Sequence, residues 1–124
     1  MRFHGSLAVG PEAIYFAGQF DSKGPSGVSG AIFRGPLPNG LGAAAPPKFA
    51  EAGAANSLMV DGSTLYWQDS AVGSIERCAL STSCASSEVI SVVPIDTTLV
   101  RQDATSLYLT RGSGDNLSIQ RLAK

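Results

Sequence analysis

The stretch LYWQDSAVGSIERCAL, residues 65–80, is the most informative part of the sequence because both of its halves recur elsewhere in the chain. Its first half, around Tyr66, matches IYFAG at Tyr15 and LYLTR at Tyr108. Its second half, Ile-x-Arg, recurs downstream as AIFRGPL from residue 31 and SIQRLAK from residue 118. The two blocks keep their order in all three copies, so the chain is predicted to consist of three repeats.

Each repeat is predicted to contain up to four short strands, and the whole chain is therefore predicted to be all-β. Turn residues such as Asp61 and Gly62 separate the first two strands. KFAEA and EVISVV supply a fourth strand in the first two repeats only. The second strand is apolar on both faces, as Leu65, Tyr66 and Trp67 show, and such a strand is packed on both sides. Four-stranded sheets covered on both faces by neighbouring sheets are typical of β-propeller blades.

The same segment resembles the YWTD repeat of low-density-lipoprotein-receptor type β-propellers, with Tyr66, Trp67, Gln68 and Asp69 in the four motif positions. It is also similar to YWTD-like or TolB-like repeats of secreted bacterial proteins, in which a cysteine follows the arginine. The other copies depart from the motif, since YFAG and YLTR replace YWQD. The resemblance implies a six-bladed propeller with a binding or scaffolding role.

One domain, residues 1–124, divides into repeats at about 6–54, 55–95 and 96–124. Three blades make half of a six-bladed ring, so two copies of the chain would close the ring as a homodimer. The third repeat lacks a fourth strand, which residues 1–5 would supply. Two alternatives stay open: a fragment of a longer propeller with no function of its own, and a β-trefoil, against which the doubly apolar second strand argues.

The charge pattern excludes two classes of partner. The chain has nine Lys plus Arg and ten Asp plus Glu, and the basic residues are scattered. Nucleic-acid interfaces and polybasic membrane patches both require clustered positive charge. No apolar run approaches the roughly 18 residues of a membrane helix. We therefore expect no nucleic acid and no membrane span.

Cys78 and Cys84 are the two cysteines, at the end of one predicted strand and before the next. Their spacing allows a disulfide that closes a hairpin, and two free thiols are the alternative. A disulfide implies an oxidising compartment. Together with the resemblance, this predicts an extracytoplasmic or secreted protein, although MRFHGSLAV at the start of the given chain lacks the features of a signal peptide.

The sequence contains no constellation that points to catalysis or to a dedicated metal site. His4 is the only histidine, and no neighbouring residue forms a site with it. The aspartates fall in predicted turns without the spacing of a calcium loop. Nucleophile-elbow and phosphate-loop patterns are also missing. We expect no catalytic residue, no metal ligand and no cofactor, and calcium is the one ion that turn aspartates would suit.

Ligand-binding residues are expected where the repeats differ, since Trp67, the tyrosines and the motif arginines fit a repeated structural role. Gly18, Asp69 and Arg111 occupy one equivalent position with different chemistry, and the insertion at residues 19–30 is unique. Asp69 and Arg111 are therefore the ligand-binding candidates. The leading hypothesis is a non-enzymatic module that binds a protein or carbohydrate. The alternative is a propeller enzyme of lactonase-like hydrolase type, with Asp69 near a calcium ion.

Overall fold

The structure is a computed structural model that describes residues 2–19, 29–36, 47–81, 83–112 and 114–124, and side chains from residue 6 onward. Within these ranges the chain forms eleven β-strands and no helix. The strands are β1 Arg2–Val9, β2 Ala13–Gln19, β3 Gly30–Pro36, β4 Lys48–Glu51, β5 Ala55–Asp61, β6 Thr64–Asp69, β7 Ser74–Ala79, β8 Glu88–Val92, β9 Thr97–Gln102, β10 Ser106–Arg111 and β11 Ser118–Ala123. Residues 20–28, most of the insertion in the first repeat, lie outside the description.

The strands form three antiparallel sheets in chain order. The first sheet contains β1 to β4, the second β5 to β8 and the third β9 to β11, and spatial neighbours are sequence neighbours throughout. The prediction of an all-β chain is confirmed. The segments KFAEA and EVISVV contribute β4 and β8, as predicted, and the third sheet has three strands in the described part of the chain.

The beginning of the chain lies in the first sheet and not in the last. Arg2 pairs with Gln19 and Phe3 pairs with Gly18, so residues 2–5 extend β1 along β2. The sequence predicts that residues 1–5 supply the missing strand of the third repeat. Within this chain, residues 2–5 pair with the first sheet instead. A local hairpin closes a short loop, whereas pairing with β11 would close one of more than a hundred residues at greater entropic cost.

The turn between β5 and β6 forms at the predicted Asp-Gly. Asp61 pairs with Thr64, which leaves a two-residue loop. Gly62 has a φ of 57°, in the left-handed region that a residue without a Cβ adopts at little cost. A hairpin of this kind brings consecutive strands together over a minimal chain length.

A β-bulge in β5 links the first two sheets. The register shifts between Asn56 and Met59, and Ser57 within this bulge has a φ of 55°. The amide of the following residue, Leu58, donates to the Oγ of Ser6 on β1 at 2.9 Å. The irregularity therefore places a backbone donor of the second sheet against the first sheet.

The second sheet is packed on both faces. Leu65 and Trp67 of β6 lie in a cluster with residues of the first sheet, and both side chains are 0% exposed. Tyr66, between them in sequence, lies in a separate cluster with Leu107 and Leu109 of the third sheet. Alternation along the strand sends these side chains to opposite faces. The predicted burial of both faces of this strand is confirmed.

Candidate functional site

The two recurring blocks of each repeat lie on neighbouring strands. In every sheet the tyrosine of the second strand lies directly opposite the arginine of the third strand: Tyr15 and Arg34, Tyr66 and Arg77, Tyr108 and Arg121. Opposite residues share a face of the sheet, and so does the isoleucine two positions before each arginine. We call this face, made of the motif tyrosine, arginine and isoleucine, the tyrosine face.

The tyrosine faces of the first and second sheets each pack against the next sheet along the chain. Tyr15 and Ile32 of the first sheet pack against the residues on either side of Tyr66. Tyr66 and Ile75 pack in the same way against the residues on either side of Tyr108. The two contacts therefore use equivalent residues of the repeat. The prediction that the recurring aromatic residues form the core between sheets is confirmed for Tyr15, Tyr66 and Trp67.

The tyrosine face of the third sheet has no sheet in front of it among the described residues. Ile119 is 79% exposed, whereas its counterparts Ile32 and Ile75 are 0% exposed. Val100 on the neighbouring β9 is also exposed. The isoleucine at this position is buried in the other two repeats and exposed to water here. We therefore treat this face as a candidate interaction surface.

Asp103 and Tyr108 form a hydrogen-bonded pair on this third sheet. The Tyr108 hydroxyl donates to the carboxylate of Asp103, which also accepts the backbone amides of Thr105 and Ser106. These hydrogen bonds, that from Tyr108 foremost, lower the pKa of Asp103 from 3.8 to about 2. The same pairing raises the pKa of Tyr108. The carboxylate is thus held ionised at the edge of the open face.

Asp69, the first predicted ligand-binding residue, is buried and accepts several hydrogen bonds from the backbone. Its carboxylate accepts the amides of Gly53, Ala54 and Ala71, each at 3.0 Å. Gly53 and Ala54 belong to the segment that joins the first two sheets, and Ala71 belongs to the turn after β6. The carboxylate therefore fastens three parts of the backbone together, and its oxygens are engaged with protein donors.

Arg111, the second candidate, lies elsewhere and has a partner of its own. Its Nε is 3.5 Å from Asp96 Oδ1, and both side chains are about half exposed. Gly18, at the equivalent position of the first repeat, is buried in β2. The three equivalent positions thus contact different parts of the molecule, and the structure does not bring Asp69 and Arg111 into one site.

Gln68 makes a contact between two sheets that its place in the sequence motif does not predict. Its side-chain amide is buried, donates to Thr97 O at 2.7 Å and accepts from Leu99 N at 3.0 Å. Both partners belong to β9, so this one side chain joins the second and third sheets through polar bonds. A buried glutamine in an apolar strand is the signal that could have identified it, since buried amides require partners.

Two of the three motif arginines, Arg77 and Arg34, differ in how their hydrogen-bonding groups are satisfied. Arg77 donates from Nε at 2.9 Å and from a terminal nitrogen at 3.1 Å to the two carboxylate oxygens of Glu88. This bidentate pair lowers the pKa of Glu88 and raises that of Arg77. Arg34, by contrast, has a buried Nε that finds no hydrogen-bond partner among the described residues. The expectation of a repeated structural role thus holds in detail for Arg77 and leaves Arg34 unexplained.

Cys78 and Cys84 form a disulfide, with Cα atoms 6.3 Å apart. The amide of Cys84 also donates to Phe49 O on β4, the last strand of the first sheet. The loop after β7 is therefore tied both to its own sheet and to the neighbouring one. A disulfide is compatible with an extracellular location.

Within the described ranges, no three His, Cys, Asp or Glu side chains are grouped so that they could hold a metal ion. The same ranges contain no helix long and apolar enough to cross a membrane. His4 lies in β1, at the edge of the first sheet. Comparison with protein-family models, with curated proteins and with solved structures yields no match to this chain.

Proposed function

We propose that the chain is a propeller-type repeat module without a catalytic role, which binds a protein partner through the tyrosine face of its third sheet. The observation that carries this proposal is the exposure of Ile119 at a position where Ile32 and Ile75 are fully buried. Full burial of an isoleucine contributes about 2 kcal/mol, which makes this face a favourable surface for association. The resemblance to YWTD repeats supports the blade-like stacking of the sheets.

The partner that fits this face is a β-sheet of the same repeat type. Both existing contacts present a second strand whose residues flanking the tyrosine are large and apolar, such as Leu65 and Trp67. A fourth sheet placed on the third would continue the same interface. Its second strand should therefore carry an apolar residue on each side of its tyrosine, because these side chains would cover Ile119.

A second copy of the chain could supply such a sheet only through its own first sheet. The corresponding face there contains Phe16, Ala31 and Phe33, and all three are already buried within a single chain. The six-bladed ring of two copies, expected from the length of the chain, would require that face to open. We therefore propose that the additional sheet lies outside residues 1–124, is not contributed by a second copy of this chain, and binds in an extracytoplasmic compartment.

The test uses a sheet of known sequence as the probe. A second copy of residues 55–95 is joined after residue 124 through a flexible linker, and amide hydrogen exchange is measured in β10 and β11. We expect slower exchange in both strands than in the unextended chain. Ile119→Lys in the extended chain should abolish this protection. Gln120→Lys adds the same charge at the next exposed position of β11 and should preserve the protection.

Two results would overturn the proposal. One is unchanged hydrogen exchange in the extended chain. The other is equal loss of protection in both lysine variants. Light scattering on the unextended chain identifies the remaining alternative, because a stable dimer that persists in the Ile119→Lys variant would show that this face is not the binding surface.

A further inference from the structure

A small cavity lies between the first two sheets, apart from the open face of the third sheet. Its volume is about 180 Å³, which is room for about six water molecules. The turn between β1 and β2 and the turn between β5 and β6 form part of its wall. Glu12, Tyr15, Arg34 and Leu80 are among the residues that line it.

Arg34 is the unusual group in this wall. Its Nε is buried and has no hydrogen-bond partner in the part of the chain that the structure describes, although its position opposite Tyr15 is fixed by strand pairing. An unsatisfied buried donor destabilises the folded protein, and the effect is larger when the group is charged. A guanidinium can recover this free energy from a carboxylate, whose two oxygens match two of its N–H groups.

The equivalent place between the second and third sheets is filled by the protein itself. Lys124 stands three residues after its motif arginine, as Leu80 does in the preceding repeat. Its Nζ bonds Asp61 Oδ2 at 2.6 Å and lies 5.0 Å from the centre of the Tyr66 ring. Arg77 is satisfied there by Glu88. The repeat thus provides an internal comparison: one copy is closed by side chains, and the other retains a cavity beside an arginine whose Nε has no hydrogen-bond partner among the described residues.

The charges in the cavity indicate the class of ligand. Arg34 contributes one positive charge and Glu12 one negative charge to the same wall, so the site is formally neutral. A phosphate dianion would be repelled by Glu12, whereas a carboxylate with an ammonium group would find a partner for each of its charges. We propose that this cavity binds a small zwitterion of the α-amino acid class, with its carboxylate on Arg34 and its ammonium group on Glu12.

The test observes Arg34 directly. In a ¹⁵N-labelled chain the Nε–H of Arg34 is followed by nuclear magnetic resonance while glycine, acetate, methylamine or inorganic phosphate is added. We expect a saturable shift with glycine and one that needs about tenfold more acetate, because acetate lacks the ammonium group. Methylamine and phosphate should leave the resonance in place.

Three variants complete the test. Glu12→Gln, at an exposed position, should reduce the affinity for glycine about tenfold, to the level of acetate. Arg34→Gln should abolish the perturbation of neighbouring backbone amides by either ligand. Arg77→Gln removes the equivalent charge from the filled copy and should leave glycine binding unchanged. A lack of saturation with glycine, a larger response to phosphate, or an equal effect of Arg77→Gln would each overturn the proposal.

Discussion

Replacing the motif isoleucine by alanine in different repeats should produce very different losses of stability from the same chemical change. Ile75 is 0% exposed, and Ile75→Ala is expected to lower the free energy of unfolding by about 2–5 kcal/mol, from lost burial and a residual cavity. Ile119 is 79% exposed, so only about a fifth of its burial free energy is at stake, and Ile119→Ala should cost about 0.5 kcal/mol or less.

Urea denaturation at several protein concentrations measures both variants, and Ile75→Val provides a milder change of about 0.5–1.5 kcal/mol should the alanine variant not fold. The wild-type midpoint should not depend on concentration. A loss at Ile119 as large as that at Ile75 would contradict this prediction, because it would mean that the third sheet is covered when the chain is alone in solution.

Three further predictions concern polar groups and the disulfide. Asp69→Ala should cost about 2–4 kcal/mol in urea denaturation, because three amides lose their acceptor, while Asp69→Asn, which keeps one oxygen, should cost less. The lowered pKa of Asp103 contributes stability that is complete above its unfolded pKa of 3.8 and is lost as the pH falls through about 2. Tyr108→Phe should reduce this pH dependence. If nuclear magnetic resonance finds the same carboxyl titration of Asp103 in Tyr108→Phe as in the wild type, the Tyr108 hydroxyl is not the cause of the lowered pKa. Reduction of Cys78–Cys84 should lower the free energy of unfolding by about 2 kcal/mol, since the loop is short, and denaturation with and without reductant measures the difference.

The main elements of the fold could be predicted because the repeat shows which residues share an environment. Tyr66 and Trp67 are adjacent and both apolar, which requires packing on both sides of their strand, and the structure has that packing. Asp61 and Gly62 predicted a turn that forms as expected. The spacing of Cys78 and Cys84 predicted a disulfide that the structure contains.

The polar contacts between sheets could not be predicted in the same way. The partners of Gln68 lie about 30 residues away, and they depend on how two sheets are offset, which strand periodicity does not specify. Asp69 is a ligand-binding candidate because it differs among the repeats, but the sequence does not show that its carboxylate accepts three backbone amides. The sheet that contains the beginning of the chain could not be predicted, because the sequence of a strand alone does not identify its neighbouring strand.

The side-chain amide of Gln68 also limits how far the second and third sheets can slide past one another. Apolar faces tolerate small displacements, but a side chain that satisfies one carbonyl and one amide of the neighbouring sheet tolerates only one position. A displacement of one residue, about 3.3 Å, would break both bonds and leave a buried amide unpaired. The second and third sheets can therefore stack in one relative position only. A displaced sheet would lose these hydrogen bonds before it lost its apolar contacts.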